Sequence, residues 1–335
     1  MRKLFSLIMF LACTNSIYSQ TDYVTVEFNG GISSTMLKNK MERNAARLLT
    51  AINRAYTQGS NYVNYTNCPG LPTDVQTSIG ILWKNAAHFH TAKTTISEPC
   101  LQIRRNNTIR GYQLRNIEMI MDPVGNQYQD DLVQEFCINF DARGNITDFK
   151  QTIETHQYNK LIENGEELDD YDRRVQIIDF CEQLKTAYNK KDIDFMKMIF
   201  SDDALIITGK KINRLTINRE IQLPKSNYEY KVQTKEQYIK GLSNVFKNAQ
   251  YINVKFEDYE IVRHPTKDNY YAVYLKQTWY SKNWKNSYSD EGYVTLIWDF
   301  RDEENPRINV RTWMPIDTPE NDRFKIEKMD LNRIR

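Results

Sequence analysis

The chain has 335 residues, enough for about two domains of ordinary size, and its 40% hydrophobic content can bury a sizeable core. The 45 basic and 43 acidic side chains leave a formal charge of +2, and Arg2 and Lys3 account for all of that excess. The body is therefore neutral, with neither the electrostatic footprint of a nucleic-acid-binding protein nor a polybasic membrane patch.

Arg2 and Lys3 lead into "LFSLIMFLA", residues 4–12, which is apolar, too short to span a bilayer and placed as a signal peptide would be. Cleavage after Ser19 leaves Gln20 as the new N-terminus. Lipoprotein processing at Cys13 is the weaker alternative, because Phe10-Leu11-Ala12 is a poor lead-in. No later run is long and apolar enough to cross a membrane as a helix. Export makes the remaining cysteines, Cys68, Cys100, Cys137 and Cys181, an even set with three possible pairings. Cys68 and Cys100 lie in loop-like sequence near prolines and are the expected disulfide. Cys137, in "VQEFCINF", and Cys181, in a helical run, read as buried thiols. The absence of CxxC removes support for zinc or thioredoxin-type chemistry.

Residues 20–153 read as a first α+β domain. "MLKNKMERNAARLLTAINRAY" places Leu37, Met41, Ala45, Leu48 and Ile52 on one helical face, and "DVQTSIGILWKNAA" suggests a second helix. Strand-like runs follow at 89–96, 111–121, 131–140 and 146–153, with the turn "DARGN" joining the last two. Residues 154–172 are polar and acidic and read as a linker. A second domain then spans 173–317. Val175, Ile178, Cys181 or Glu182, Leu184 and Tyr188 recur at helical spacing, a short helix starts after Asp192, and "DALIITG" is a strand. Residues 210–232, with Pro224 inside, read as a polar hairpin or loop. Thr234 with Gln237 forms a capping-box pattern ahead of "YIKGLSNVF". Four long strands follow: "YINVKFEDYEIV", "NYYAVYLKQTWY", "GYVTLIWDFR" and "RINVRTWM". Residues 318–335 are a charged tail. The fold class is α+β, in two tandem domains of helices packed on a curved antiparallel sheet.

The stretches "FCEQLKTAYNKKDIDFMKMIFSDDALIITG", the helix opened by Thr234, and the meander ending "SDEGYVTLIWDFRDEENPRINVRTWMP" resemble the NTF2-like superfamily of nuclear transport factor 2, SnoaL and ketosteroid isomerase relatives. The resemblance covers about residues 172–316 and is greatest to NTF2-like proteins exported by Bacteroidota. The first half is similar only in element order, as a degenerate NTF2-like or cystatin-like relative. The resemblance implies a conical pocket between sheet and helices. It does not by itself imply an activity, since this fold hosts enzymes, small-molecule binders and docking modules.

Strict alternation in "YINVKFEDYEIV" extends the inward face to Asp258, which would there be a buried base of raised pKa. A bulge at Glu257–Asp258 is the competing expectation, because Tyr259 and Ile261 carry the apolar pattern onward. Gln277 and Trp279 share the apolar face of their strand with Tyr271, Val273 and Leu275 and are expected to line the pocket with Tyr259. Asp202 and Asp203 border it or sit in a loop. His88 and His90, two apart, could share a metal but lack a third ligand; His264 reads as a solvated turn residue, and His156 lies in the linker. Asn64, Asn106 and Asn145 head N-x-[ST] triplets, which matter only in a eukaryotic secretory route. No nucleotide-binding, hydrolase or zinc-protease motif occurs, and no cofactor is implied.

On the last hairpin, matching apolar faces predicts same-parity pairing. This sets Trp298 beneath the helices and leaves Asp299 beside Asn309 on a polar outer face with Arg307 and Arg311. Tyr293, Trp313 and Arg311 then form an exposed partner surface. The expected function is a non-catalytic exported binding module for a small or extended ligand or an exported protein partner, with homodimerisation through the sheet possible. The alternatives are an isomerase-like enzyme using Asp258, or an envelope assembly protein.

Overall fold

The computed structural model describes residues 22–105, 108–123, 133–164, 168–211, 228–303 and 305–326. The leader with Cys13 and Ser19, Asn106 and Pro224 lie outside the described residues. The chain forms two α+β units in tandem.

In the first unit, β1 (Thr25–Phe28) precedes α1 (Thr35–Thr57) and α2 (Thr73–Asn85). The Ser34 hydroxyl accepts the Leu37 N–H and caps α1, whose Met41, Ala45, Leu48, Leu49 and Ile52 are buried. Next come β2 (Ala87–Thr91), β3 (Thr95–Glu98), β4 (Cys100–Arg105), β5 (Thr108–Pro123), β6 (Val133–Asp141) and β7 (Ile146–Gln151). β1 and β3 pair in parallel, a small addition that the sequence pattern does not announce. β5 is the spine of the main sheet. It pairs with β4 near its start, with β2 near its end and with β6 along its other side. A bulge between Leu114 and Ile117, with Asn116 at φ 59°, breaks the β5–β6 register and carries Arg115 in between.

The segment expected as a linker is structured. α3 (Thr155–Glu163) occupies it, and α4 (Leu168–Lys190) has begun before it ends. Part of it is buried: Asp170 accepts from Arg174 Nε at 2.7 Å, and the Tyr158 ring centroid lies 4.1 Å from the Arg115 guanidinium. Its other polar side chains, such as His156, Asn159 and Lys160, remain exposed.

The second unit continues with α5 (Ile193–Ile199), capped by the Asp192 carboxylate, β8 (Phe200–Lys211), β9 (Tyr228–Gln233) and α6 (Lys235–Asn248). The Thr234–Gln237 capping box forms as the sequence predicts. β10 (Tyr251–Arg263), β11 (Tyr270–Lys282), β12 (Ser287–Asp299) and β13 (Arg307–Pro315) complete a curved sheet of order β10-β11-β12-β13-β8-β9. β8 joins β13 in parallel, whereas β2 joins β5 antiparallel, so the two sheets differ in topology despite their similar element order.

α4 packs against both sheets. Ile177, Ile178, Cys181, Leu184 and Tyr188 enter the core of the second unit, where Trp298 stacks on Phe180 with centroids 5.3 Å apart. Asp179, Glu182, Thr186 and Asn189 make an i, i+3, i+7, i+10 stripe whose carboxylates face the first sheet, while the Asn189 amide also accepts the Val254 N–H of the second at 2.7 Å. There Glu182 accepts from Arg115 at 2.6 Å and from the Ile153 N–H at 3.1 Å. Asp179 pairs with the buried Lys150, and Asn189 donates to Gln151 at 3.0 Å. Burial pushes the Asp179 carboxyl up, but Lys150 and the amides of Gln183 and Asn139 outweigh it and hold the group below the usual carboxylate range.

Two further expectations fail. Cys68 and Cys100 are separate buried thiols in the core of the first unit, as Cys137 and Cys181 are buried thiols elsewhere, so the expected disulfide is absent. The charged C-terminal tail is also partly structural. Ile326 is fully buried with Tyr270, Ala272, Ile297 and Val310 on the convex face of the second sheet, and Phe324 packs beside them. The Ile326 N–H donates to the Tyr274 hydroxyl at 2.7 Å, and the Arg323 guanidinium lies 3.5 Å from the Tyr293 ring centroid. This strap covers sheet surface expected to be open to a partner or a second copy.

Candidate functional site

Alternation on β11 sends Tyr271, Val273, Leu275 and Gln277 to the buried concave face, with Trp279 half-buried at its end. What faces them is decided by the β12–β13 register. Trp298 pairs with Ile308, of the predicted same parity, but Ile297 pairs with Val310, leaving Asn309 unpaired. Beyond that bulge the parity inverts: Leu296 opposes Arg311 and Val294 opposes Trp313. Arg311 and Trp313 therefore point inward at 5% and 3% exposure, and Val310 points outward. The expected partner surface of Tyr293, Trp313 and Arg311 is thereby corrected, since Tyr293 lies under Arg323 and the other two line the interior. The expected contact between Asn309 and Asp299 does form, at 3.0 Å, with Arg301 supplying the cation.

These residues enclose one side of a cavity of about 590 Å³ between α6, β8, β11, β12 and β13. Trp313 fits because two neighbours are glycines. A Cβ on Gly209 would lie 2.3 Å from its ring, and one on Gly292 would lie 2.6 Å away. Within the wall, Arg311 Nη2 donates to Gln277 Oε1 at 3.1 Å. Its guanidinium carbon is 5.6 Å from the Tyr238 ring centroid, and the Tyr238 and Tyr188 hydroxyls are 2.6 Å apart. Tyr188 in turn meets Trp279 edge-on at 5.6 Å. Arg311 Nη1 is buried and makes no well-aligned protein hydrogen bond, although the Tyr188 hydroxyl lies close enough to the guanidinium to favour its charge.

Among the described residues, Asp290 is the one carboxylate lining this cavity. The Tyr288 hydroxyl donates to its Oδ2 at 2.5 Å, while its Oδ1 is buried without a partner. Burial raises its pKa above the ordinary carboxylate value, against the opposing effects of Tyr288 and Arg311. The wall thus offers a guanidinium donor without a well-aligned partner and an acid inclined to hold its proton, among aromatic and aliphatic side chains.

The other sequence candidates lie elsewhere. Asp258 is exposed at φ 52° in a β10 bulge between Glu257 and Glu260, so it is not a buried base. Tyr259 is half-buried with its hydroxyl unpartnered, outside the cavity wall. Asp203 is exposed, and Asp202 pairs with Lys235 at 2.7 Å. His88 stacks on Trp83 and buried His90 meets Tyr56; no set of three metal-ligating side chains occurs among the described residues. His264, expected to be solvated, is buried, and its Nδ1 accepts the Thr266 N–H. Sequence reasoning missed Tyr188, Tyr238, Tyr288 and Asp290. The usable signal was Arg311 with Trp313 in "RTWM", a cation and a large aromatic two apart and so on one face of a strand.

No protein-family model and no curated protein matches the chain. Among solved structures, an NTF2-like protein from Cytophaga hutchinsonii is 18% identical, with 43% of this chain and 98% of that one covered at a TM-score of 0.32. A nuclear transport factor 2 superfamily protein from Salmonella enterica serovar Typhimurium is 13% identical, with 44% and 95% covered at 0.32. At these scores the likenesses decide nothing about chemistry, and the cone of the second unit stands on its own strand order and helix cover.

Proposed function

We propose that the second unit is a non-catalytic binding module for a small, largely apolar organic molecule carrying a carboxylate or similar anionic acceptor. The observation that carries this reading is the buried Arg311 Nη1, without a well-aligned partner in the wall of an aromatic cavity. Leaving such a donor unsatisfied costs about 1–3 kcal/mol, which a ligand acceptor would return. Gln277 holds the other arm of the guanidinium, and Trp279, Trp313 and Leu242 offer the apolar body its contacts. The basic, apolar leader supports export with cleavage near Ser19, so the ligand in this reading is met outside the cytoplasm.

Two of the cavity's walls are tryptophans, so binding is read by quenching of intrinsic fluorescence. Indole-3-acetate and benzoate are expected to saturate, with the matching amides weaker. Arg311→Met is expected to weaken carboxylates by about tenfold to a hundredfold, the value of a hydrogen bond to a charged group. Equal binding of acids and amides, or none at millimolar concentration, refutes the reading.

Asp290 favours a second reading, an acid–base enzyme. It replaces exposed Asp258 as the carboxylate for such chemistry, with Tyr288 orienting it. Solvent deuterium incorporation into a bound ketone, lost in Asp290→Asn, distinguishes an enzyme from a binder.

A further inference from the structure

A second cavity, of about 520 Å³, lies where β6 and β7 of the first unit face the β10 bulge of the second. Lys185 of α4 lines it at 8% exposure. Its Nζ donates to the Thr152 carbonyl at 2.9 Å, and it makes no ion pair among the described residues. The neighbouring Glu182 is already engaged by Arg115 and the Ile153 N–H. An ammonium has three hydrogens to place and is given one acceptor here; a neutral amine needs less and keeps a lone pair. The surroundings agree. Burial pulls the group down to about 8, Glu182 on its own helix raises it, Arg115 from β5 lowers it, and Cys137 and Glu135 from β6 raise it.

We propose that Lys185 is a nucleophilic amine that condenses with the carbonyl of a small neutral hydroxyaldehyde or hydroxyketone admitted by this cavity. The Nζ lone pair forms the new C–N bond, and the carbonyl π pair moves to oxygen and takes up a proton. The carbinolamine nitrogen then loses a proton, its lone pair expels the hydroxyl, which takes up a proton and leaves as water, and the resulting iminium loses its remaining N–H proton to give the imine. Glu135, anchored by the Thr155 N–H at 2.9 Å and hydroxyl at 2.7 Å, is the wall carboxylate whose field reaches Lys185, and in this proposal it relays these protons. The wall is polar, and the carboxylates of Glu118, Glu135, Glu154, Glu257 and Asp258 outnumber its three lysines. It therefore disfavours an anionic carbonyl compound such as an α-keto acid and suits a polyhydroxylated neutral one.

The test is reductive trapping on the full chain with glyceraldehyde and cyanoborohydride at pH 7.5, followed by site-resolved peptide mass spectrometry. At that pH the neutral fraction of an amine titrating near 8 exceeds that of a reference lysine by a factor on the order of 10². Lys185 is expected to gain its adduct at least tenfold faster than exposed Lys84, with a rate midpoint near pH 8, and to trap glyoxylate more slowly than glyceraldehyde. Lys185→Met should lose this adduct while keeping the circular dichroism of the parent. The site-resolved kinetics of the unmutated chain decide the matter even if the variant misfolds. No adduct at Lys185, or one forming at the pace of Lys84, overturns the proposal.

Discussion

Glu182 is the residue on which the seam between the two units depends, and Glu182→Leu tests that seam directly. The side chain is 0% exposed and its two oxygens accept from both terminal nitrogens of Arg115, at 2.6 and 3.3 Å, and from the Ile153 N–H. Leucine removes the carboxylate paired with Arg115, the one such partner among the described residues, and orphans a backbone donor; Arg115 is itself 4% exposed. Breaking a buried pair on one side costs about 3–5 kcal/mol, and an orphaned N–H adds about 1–3 kcal/mol. Partial solvent entry keeps the expected total near 4–6 kcal/mol. The companion is Arg115→Met with Glu182→Leu, which removes both charges; an apolar replacement of a buried pair is often neutral. Urea unfolding followed by far-ultraviolet circular dichroism should place the single variant far below the parent and the double variant above the single by at least about 2 kcal/mol. A single-variant loss under about 1 kcal/mol, or a double variant that simply adds the two losses, refutes the picture of a dry, paired seam.

Gly209→Val should force the Trp313 ring from its slot, because the new Cβ would begin 2.3 Å from it. A loss of about 1–3 kcal/mol is expected, with a changed near-ultraviolet tryptophan signal, and an unchanged spectrum counts against the packing described. Ile326→Ala should cost about 2 kcal/mol, the low end for a buried isoleucine, as its cluster on the convex face is small; denaturant midpoints measure it. Asp290 has a raised folded-state pKa, so the native chain holds its proton to higher pH than the unfolded chain does. Its stability contribution is present at low pH and is lost as pH rises from the ordinary carboxylate range through the raised value. Asp290→Asn should therefore gain in Tm relative to the parent between pH 3 and pH 7, and a flat or reversed difference counts against the assignment.

Local signals were read well and long-range register poorly. The capping box at Thr234, the Asp192 stop between two helices, and the burial of Trp298 follow from spacing alone, since each is set within a few residues. The inward turn of Arg311 and Trp313 depends on one unpaired residue, Asn309, which no hydropathy pattern marks, and a one-residue slip exchanges the two faces of everything beyond it. The linker segment was misread for a different reason. Residues 154–172 look like a polar linker because the groups that bury part of that region, Arg174 beside Asp170 and Arg115 over the Tyr158 ring, lie outside its own sequence. Among the described residues the C-terminal strap is anchored by Phe324 and Ile326, two apolar side chains set within charged sequence that show no period.

The position of α4 also sets an order of events during synthesis. The first sheet precedes α4 in the chain, so Arg115 and Lys150 emerge ahead of Glu182 and Asp179, the carboxylates that pair with them. α4 in turn exposes its Ile177–Tyr188 face until β10 to β13 follow, more than 60 residues later. For that interval a nascent chain carries a charged face on one side of a helix and a bare apolar face on the other. Pulse-labelling hydrogen exchange on stalled chains should find α4 protected only once β13 has emerged, which would make the tandem arrangement a single late-closing folding unit.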